Sequence, residues 1–414
     1  MKRAYARLLP TGATALLVAI AAMAMFISRG AGAAEGAMSS VPSAAAFRSF
    51  IASLRPDAEA QGVSPITFDT ALASLEPDPA VAAMTRRQPE ELKPVGAYLA
   101  AQVTPARAAT GRALLARWQA DLAAIEHRYS VPAAIVVAVW GLETNYGASP
   151  GTKDVVRSMA TLAALEYRPA LYRAELLSTL VLLERGEASR GNLRGSWAGA
   201  MGQPQFMPSS FERYAVDWDG DGHRDIWGSV PDVLASIANF LAQQGWRPER
   251  PWGFEVRLPP GFDLQTGRAA FAEWRARGVS RPGGAPLPET GDAVLYFPAG
   301  ATGPAFLVTE NFEVIKTYNF SDAYVLGVGT LADRIAGKPP VAAAWPSDPP
   351  ISRDDRIALQ ARLAALGYAV DNREGRISLG LRDTIRSAQA RLGMTPDGNP
   401  TASLLRALGE TPVR

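Results

Sequence analysis

Apolar residues recur every three to four positions along most of this chain, and that spacing predicts helices. In GRALLARWQADLAAIEHRY, Leu114, Leu115, Trp118, Leu122 and Ile125 share one face, the stripe an amphipathic helix turns toward a core. Residues 43 to 130 as a whole read the same way. A second helical pattern covers roughly 160 to 186 through Leu162, Leu165, Leu176, Leu177, Leu180 and Leu183. A third, SVPDVLASIANFLAQQGW, runs from 229 to 246 and is stopped by Gly245. From about 250 to 310 the texture changes. There Pro and Gly punctuate short runs such as FEVRL (254–258) and AVLYF (293–297), which read as strands of a small mixed insertion. AGKPPVAAAWPSDPP (336–350) holds five prolines and reads as a semi-rigid linker. Residues 351 to 412 form a separate helical unit, with LQARLAALGY and LRDTIRSAQARLGM as its clearest helices. The predicted class is mainly α (α+β): a helical core, a strand-bearing insertion and a helical C-terminal unit.

One helix breaks the amphipathic pattern. VPAAIVVAVWGL is apolar on every side, and Ser130 and Pro132 suit its start. It runs into Glu143, the only charged residue between Tyr129 and Thr152. Burial disfavours the ionised form of a carboxyl, so an isolated one is costly unless it has a task. Thr144, Asn145, Tyr146 and Gly147 form a polar break that puts Glu143 at the lip of the core. Partial desolvation there would raise its pKa and make it a general acid near neutral pH. Capping or pairing within a buried helix is the other reading of the local pattern.

A second stretch, GSWAGAMGQPQFMPSSF (195–211), sets Gly195, Gly199 and Gly202 among Trp197, Met201, Phe206 and Met207. Gln205 adds an amide donor and acceptor. Such a wall suits sugar rings, which have apolar faces and hydroxyl edges, and it equally suits a packing loop.

A third stretch, DWDGDGHRDIW, places Asp217, Asp219, Asp221 and Asp225 at positions 1, 3, 5 and 9 of a loop with Gly222 at position 6. That is the front of an EF-hand calcium loop, in which His223 at position 7 would offer its backbone carbonyl. Position 12 is Gly228, where such a loop ordinarily has a glutamate, and the next carboxylate is Asp232. Four clustered carboxylates call for a cation to offset their repulsion. A solvated Asp-Gly turn is the alternative. His127 is the only other histidine, so nothing points to zinc.

Composition changes the picture mainly at the N-terminus. MKRAYAR, then TGATALLVAIAAMAMFI, then Ala31-Gly32-Ala33 reads as a secretory signal over residues 1–33, with an uncleaved anchor as the weaker form. Losing Lys2, Arg3, Arg7 and Arg29 turns a balance of 42 basic against 40 acidic residues into 38 against 40. The basicity belongs to the leader, and nothing implies a nucleic-acid partner. The chain has no cysteine, hence no disulfide and no lipid-modified cysteine. The expectation is a soluble, exported protein in a bacterial periplasm, touching a membrane only if the signal segment stays attached.

ETNYG, GAMGQPQFMPSSF, DWDGDGHRDIW and TYNFSDAY occur in that order, and together they resemble the motifs of the lytic murein transglycosylase B family over roughly residues 43 to 336. The resemblance implies a lysozyme-like catalytic domain in which one glutamate, here Glu143, does the acid and base work on peptidoglycan glycan strands. It would protonate the glycosidic oxygen between N-acetylmuramic acid and N-acetylglucosamine, then take the proton of the C6 hydroxyl as that oxygen closes a 1,6-anhydro ring. Ser196, Gln205, Tyr318, Asn319 and Tyr324 match positions lining the site in that family, and Tyr98 matches a further groove tyrosine. The family's loop is a lengthened EF-hand-like site over 217–232, which would let Asp232 supply late ligands to a structural calcium ion. No cofactor for the chemistry is implied, and association with other cell-wall enzymes stays open.

The C-terminal unit resembles the three-helix peptidoglycan-binding domain of wall enzymes through core and turn residues such as Leu359, Gln360, Leu363, Gly367, Gln389 and Gly398. It departs from that pattern at DNREGRIS and at Ala388. Two rivals remain from the sequence. A hydrolytic muramidase would need a second carboxylate from among Glu166, Glu175, Glu184 or Asp154. A non-catalytic wall-binding protein would need none.

Overall fold

The apolar helix Ala133–Thr144 is the axis of the fold. In the computed structural model, which describes residues 41–86 and 93–410, the helices Pro105–Arg117, Gln119–Tyr129, Val230–Gln243 and Asp322–Ile335 pack around it. Ile135 through Gly141 are all buried, so the helix has no polar face and its polar residues gather at its C-terminal end. A second layer pairs Val155–Ala164 with Pro169–Glu184, and Pro208–Tyr214, Arg55–Ala60 and Pro65–Leu72 flank the latter.

The helices begin where short polar side chains can accept from the first turn. Ser64, Thr104, Asp154, Ser229 and Ser321 each take the backbone N–H three residues on. Proline at the first or second helical position follows Ser64, Thr104 and Ser229, where its missing N–H costs nothing.

Two short strands, β1 (Lys153–Asp154) and β2 (Arg194–Gly195), pair antiparallel and bring the glycine-rich stretch to the segment that follows Glu143. The insertion is an antiparallel sheet of β3 (Gly253–Val256), β4 (Arg268–Ala270), β5 (Asp292–Tyr296) and β6 (Ala305–Val308) in the order β3-β6-β5-β4. FEVRL and AVLYF supply most of β3 and β5, whereas the sequence pattern signals neither β4 nor β6. The reason is plain for β6. Its AFLV is buried at all four positions, and an inner strand covered on both faces shows no alternation. Phe254, Phe271, Trp274, Leu295 and Leu307 form a core of its own for this unit.

The proline-rich stretch is strapped down. The Ala342 and Ala343 N–H groups donate to the Glu255 carboxylate at 2.7 and 2.8 Å. Trp345 lies 6.3 Å from the Phe306 ring and covers Gly96 so closely that no side chain would fit there. Beyond it, Arg353–Ala365, Leu379–Arg391 and Ala402–Glu410 enclose Leu359, Leu363, Leu381, Ile385 and Leu404. The stretch 1–33, expected from the sequence to be a secretory signal, lies outside the described residues. Among those described, no single helix is long and apolar enough to cross a membrane.

Candidate active site

Glu143 occupies the last turn of its helix, half-buried, with the chain reversing sharply behind it. Asn145, Tyr146 and Gly147 follow in left-handed backbone, at φ 50°, 60° and 84°. Asn tolerates that conformation, but for Tyr it is disfavoured by roughly 1–2 kcal/mol, so neighbours must hold it. The Tyr146 hydroxyl donates to the Arg107 carbonyl at 2.8 Å, and its ring meets Trp140 edge-on at 5.6 Å. Thr144 Oγ1 donates to the Gln203 carbonyl at 2.9 Å and accepts from the Gly147 N–H at 3.0 Å. A side chain at Gly147 would strike the Gln203 amide. Strain held in place this way is common where a side chain must be aimed.

The Tyr324 hydroxyl donates to Glu143 Oε1 at 2.6 Å. Burial pushes the Glu143 carboxyl up to about 7, against the lowering effect of that hydrogen bond. Tyr318 is stacked on Tyr324 at 6.4 Å, and its hydroxyl donates to the Pro204 carbonyl at 2.7 Å. Burial raises the Tyr98, Tyr318 and Tyr324 hydroxyls, and the Glu143 charge adds to that shift in all three. Tyr98 from one segment, and Tyr318 and Tyr324 from another, therefore bear on one carboxyl. Asn319 is half-buried beside Tyr318, and its carbonyl accepts the Ser321 N–H at 2.7 Å.

Ser196 and Gln205 are built into their own loop. Ser196 Oγ accepts the Ala200 N–H at 3.1 Å. Buried Gln205, itself at φ 54°, donates its amide to the carbonyls of Pro150 and Gly202 at 2.9 and 2.8 Å. Both groups thus fix the shape of the loop that carries them.

Among the described residues, no second carboxylate is hydrogen-bonded to Glu143, and none contributes to its raised pKa. Three of the four candidates are engaged elsewhere, and the fourth stands in solvent. Glu175 accepts Ser209 N–H and Oγ–H at 2.9 and 2.7 Å, at the start of Pro208–Tyr214. Glu184 accepts from Ser64. Asp154 caps Val155–Ala164 and pairs with Arg190 at 2.5 Å. Glu166 stands exposed in a left-handed turn.

In the acidic loop, the carboxylates of Asp217, Asp219 and Asp221 converge, with oxygens within 4.8 Å of one another. Asp225 and Asp232 do not join them. Asp225 Oδ1 accepts the Trp227 and Gly228 N–H groups, both at 2.9 Å. Asp232 is fully buried and accepts from Trp218, Asp225 and Asp219 at 2.7, 2.8 and 3.4 Å. It closes the loop from inside. His223 is exposed, and its N–H donates to Asp221.

Residues 46–333 match the transglycosylase SLT domain family, and residues 352–408 match a peptidoglycan binding domain. The chain belongs to the SLT transglycosylase family. The resemblance carried by ETNYG and the three later motifs is therefore borne out, as is the mainly α, lysozyme-like fold. Membrane-bound lytic murein transglycosylase B of Escherichia coli is 35% identical over 215 residues, which are 50% of this chain and 58% of that protein's length. SltB3 from Pseudomonas aeruginosa, in complex with NAG-anhNAM-pentapeptide, is 46% identical, with a TM-score of 0.78 over 88% of this chain and 99% of that one. Slt35 of E. coli, in complex with calcium, is 26% identical, with a TM-score of 0.59 over 70% of this chain and 92% of that one.

In this SLT transglycosylase the sequence pattern draws attention to Gln205 and passes over Gln203, which the structure makes the knot of the site. Gln203 Oε1 accepts the Trp140 indole N–H at 2.9 Å, and its Nε2 donates to the Trp227 carbonyl at 2.8 Å. Its backbone joins Thr144 on one side and Ile226 on the other. One residue thereby ties the helix of Glu143 to the far end of the acidic loop. The only sequence signal was its place in the same GQPQF run.

Proposed function

We propose that this SLT transglycosylase cuts the β-1,4 bond between N-acetylmuramic acid and N-acetylglucosamine in peptidoglycan without water, with Glu143 as acid and then base. One observation carries the reading: a single half-buried carboxyl raised to about 7, under a tyrosine hydroxyl at 2.6 Å, with no second carboxylate bonded to it among the described residues. Near neutral pH a large share of Glu143 is protonated and able to protonate the leaving oxygen. The carboxylate left behind keeps the Tyr324 hydrogen bond and takes the proton of the muramyl C6 hydroxyl as that oxygen attacks C1. Ordinary glycosidases need two carboxylates because water must be activated. A hydroxyl of the same sugar has a high effective concentration and removes that need.

The fragments bound to SltB3 support a peptidoglycan substrate, and the anhydro sugar named in that complex supports this product. Tyr98, Tyr318 and Asn319 would line the sugar site beside Tyr324, with Ser196 and Gln205 shaping the opposite wall. Asp217, Asp219 and Asp221 are hard oxygen donors that fit calcium, and the complex of Slt35 supports that choice. The ion would stabilise the loop and through Gln203 the site, with no part in the chemistry. The substrate and the N-terminal sequence support export to the periplasm.

Mass spectrometry of products from purified peptidoglycan tests the reading. Anhydro-muropeptides are expected. Reducing ends would establish hydrolysis instead, and no product would establish a binding protein.

A further inference from the structure

The segment Lys316–Asp322 carries Tyr318 and Asn319 and leads directly into Tyr324, and the C-terminal domain grips it at three points. Lys316 Nζ donates to the Ile377 carbonyl at 2.7 Å. The Arg376 guanidinium lies 4.3 Å over the Phe320 ring. Arg382 donates to Asp322 Oδ2 at 2.8 Å. A fourth contact precedes the segment, from the Leu379 N–H to Glu313 Oε1 at 3.2 Å.

Asp322 is the hub. Lys316 pairs with its Oδ1 at 2.6 Å, and the Tyr296 hydroxyl donates to its Oδ2 at 3.1 Å. Arg382 also lies 4.6 Å over the Tyr296 ring. Lys316 and Arg382 are only 7% and 6% exposed. Buried ion pairs add little net stability, because desolvation opposes them. What the crossed contacts on Asp322 do supply is a fixed geometry, even with Arg382 Nε left without a hydrogen-bond partner. Asp322 begins the helix Asp322–Ile335, and Tyr324 stands in the same turn. The position of Asp322 thus sets the direction from which Tyr324 reaches Glu143.

From this we infer that the C-terminal domain is a working part of the active site, with Arg382 as a positioning residue that holds Asp322 and thereby aims Tyr324 at Glu143. The inference rests on the proposed function. It gives the domain a task other than retention on the wall. The groups that bear on Glu143 are Tyr324, Tyr98 and Tyr318, with Arg107 beyond Tyr98. Those that bear on Asp322 are Lys316, Arg382, Tyr296 and Glu313. Loosening the second set changes how well Tyr324 donates to the first.

The test uses the full-length protein on soluble tetrasaccharide muropeptides, with kcat and KM measured across pH. Retention on insoluble peptidoglycan is measured separately in a Glu143→Gln background. Arg382→Gln should lower kcat roughly ten- to a hundredfold, the scale of small misplacements at a reacting centre, with KM and retention little changed. The pH–kcat profile should move to higher pH, because Glu143 loses a donor that favours its ionised form. Arg382→Lys keeps a cation beside Asp322 and should recover most of kcat. Arg386→Gln weakens the same interface where Arg386 donates to the Leu295 carbonyl at 2.8 Å. It should lower Tm and leave the profile in place.

If Arg382→Gln lowers Tm but keeps the wild-type kcat and profile, the inference is overturned. It is also overturned if the loss lies only in KM and retention. Should Arg382→Gln not fold, Asp322→Asn keeps the shape of the group that Arg382 holds and removes the charge it pairs with, and an unmoved profile there overturns the inference equally. A wild type that makes no anhydro product overturns the proposed function and this inference with it. An active wild type with unaffected variants overturns this inference alone.

Discussion

Two opposing neighbours set the behaviour of the Glu143 carboxyl, burial raising its pKa and the Tyr324 hydroxyl lowering it. The net upward shift makes a stability prediction with a definite sign. A carboxyl whose folded pKa exceeds the unfolded value of about 4.3 destabilises the fold wherever it must ionise. The penalty is absent below about pH 4 and complete above the folded value of about 7. Glu143→Gln should therefore raise Tm at pH 8 and leave it unchanged at pH 4, while product formation falls by at least ~10²-fold. Thermal melts at the two pH values check the first half, and anhydro-product yield the second. Tyr324→Phe keeps the ring and deletes the donor, so Glu143 should titrate higher and the pH–rate profile should shift upward; an unmoved profile would mean that the 2.6 Å bond has no influence. Glu143 was legible in the sequence because a lone charge ended an apolar run. Its contact with Tyr324 spans 181 positions, and no local pattern encodes such a distance. Gln203 stayed hidden for a similar reason, since its role depends on partners at 140, 144, 226 and 227.

At the scale of elements, helices were easier to read than strands. Capping hydroxyls and apolar periodicity mark them in the sequence, whereas β6 is four apolar residues without alternation. The acidic loop shows the same limit from another side. Its spacing announced a cation site, but spacing does not tell which aspartates face outward. Asp217, Asp219 and Asp221 converge, while Asp232 serves the backbone of the loop. This division predicts two kinds of variant. Asp221→Ala should abolish the rise in Tm that calcium produces over chelator, because a ligand of the folded state stabilises it by about RT ln(1 + [L]/Kd). Asp232→Ala should cost roughly 2–3 kcal/mol of stability through lost charge-assisted hydrogen bonds, and so lower Tm in chelator as well. Melting curves of both variants with and without calcium decide the point. Equal behaviour of the two would show that the division of roles is wrong.

For the whole molecule, composition and the linker prolines indicate separable units, but the structure ties them together. Glu255 holds the linker backbone, Trp345 packs on Phe306 and Gly96, and Arg382 and Arg386 enter the catalytic unit from the C-terminal domain. None of these contacts leaves a periodic trace in the sequence, because each joins residues from different units. The coupling predicts a single calorimetric unfolding transition for the wild type, since neither unit can open without exposing ionic groups that the other one pairs. The double variant Arg382→Gln/Arg386→Gln should separate that transition into two, the smaller belonging to the three-helix unit. Acid should do the same only well below pH 4. Burial opposes ionisation of Asp322, but Lys316 and Arg382 hold its carboxyl below the usual range. A carboxyl with a depressed folded pKa contributes stability that is complete above its unfolded value of about 3.9 and is lost as pH falls through the folded value. Calorimetry at pH 7 and at pH 2–3 follows both effects, and two transitions in the wild type at pH 7 would show that the domains unfold independently.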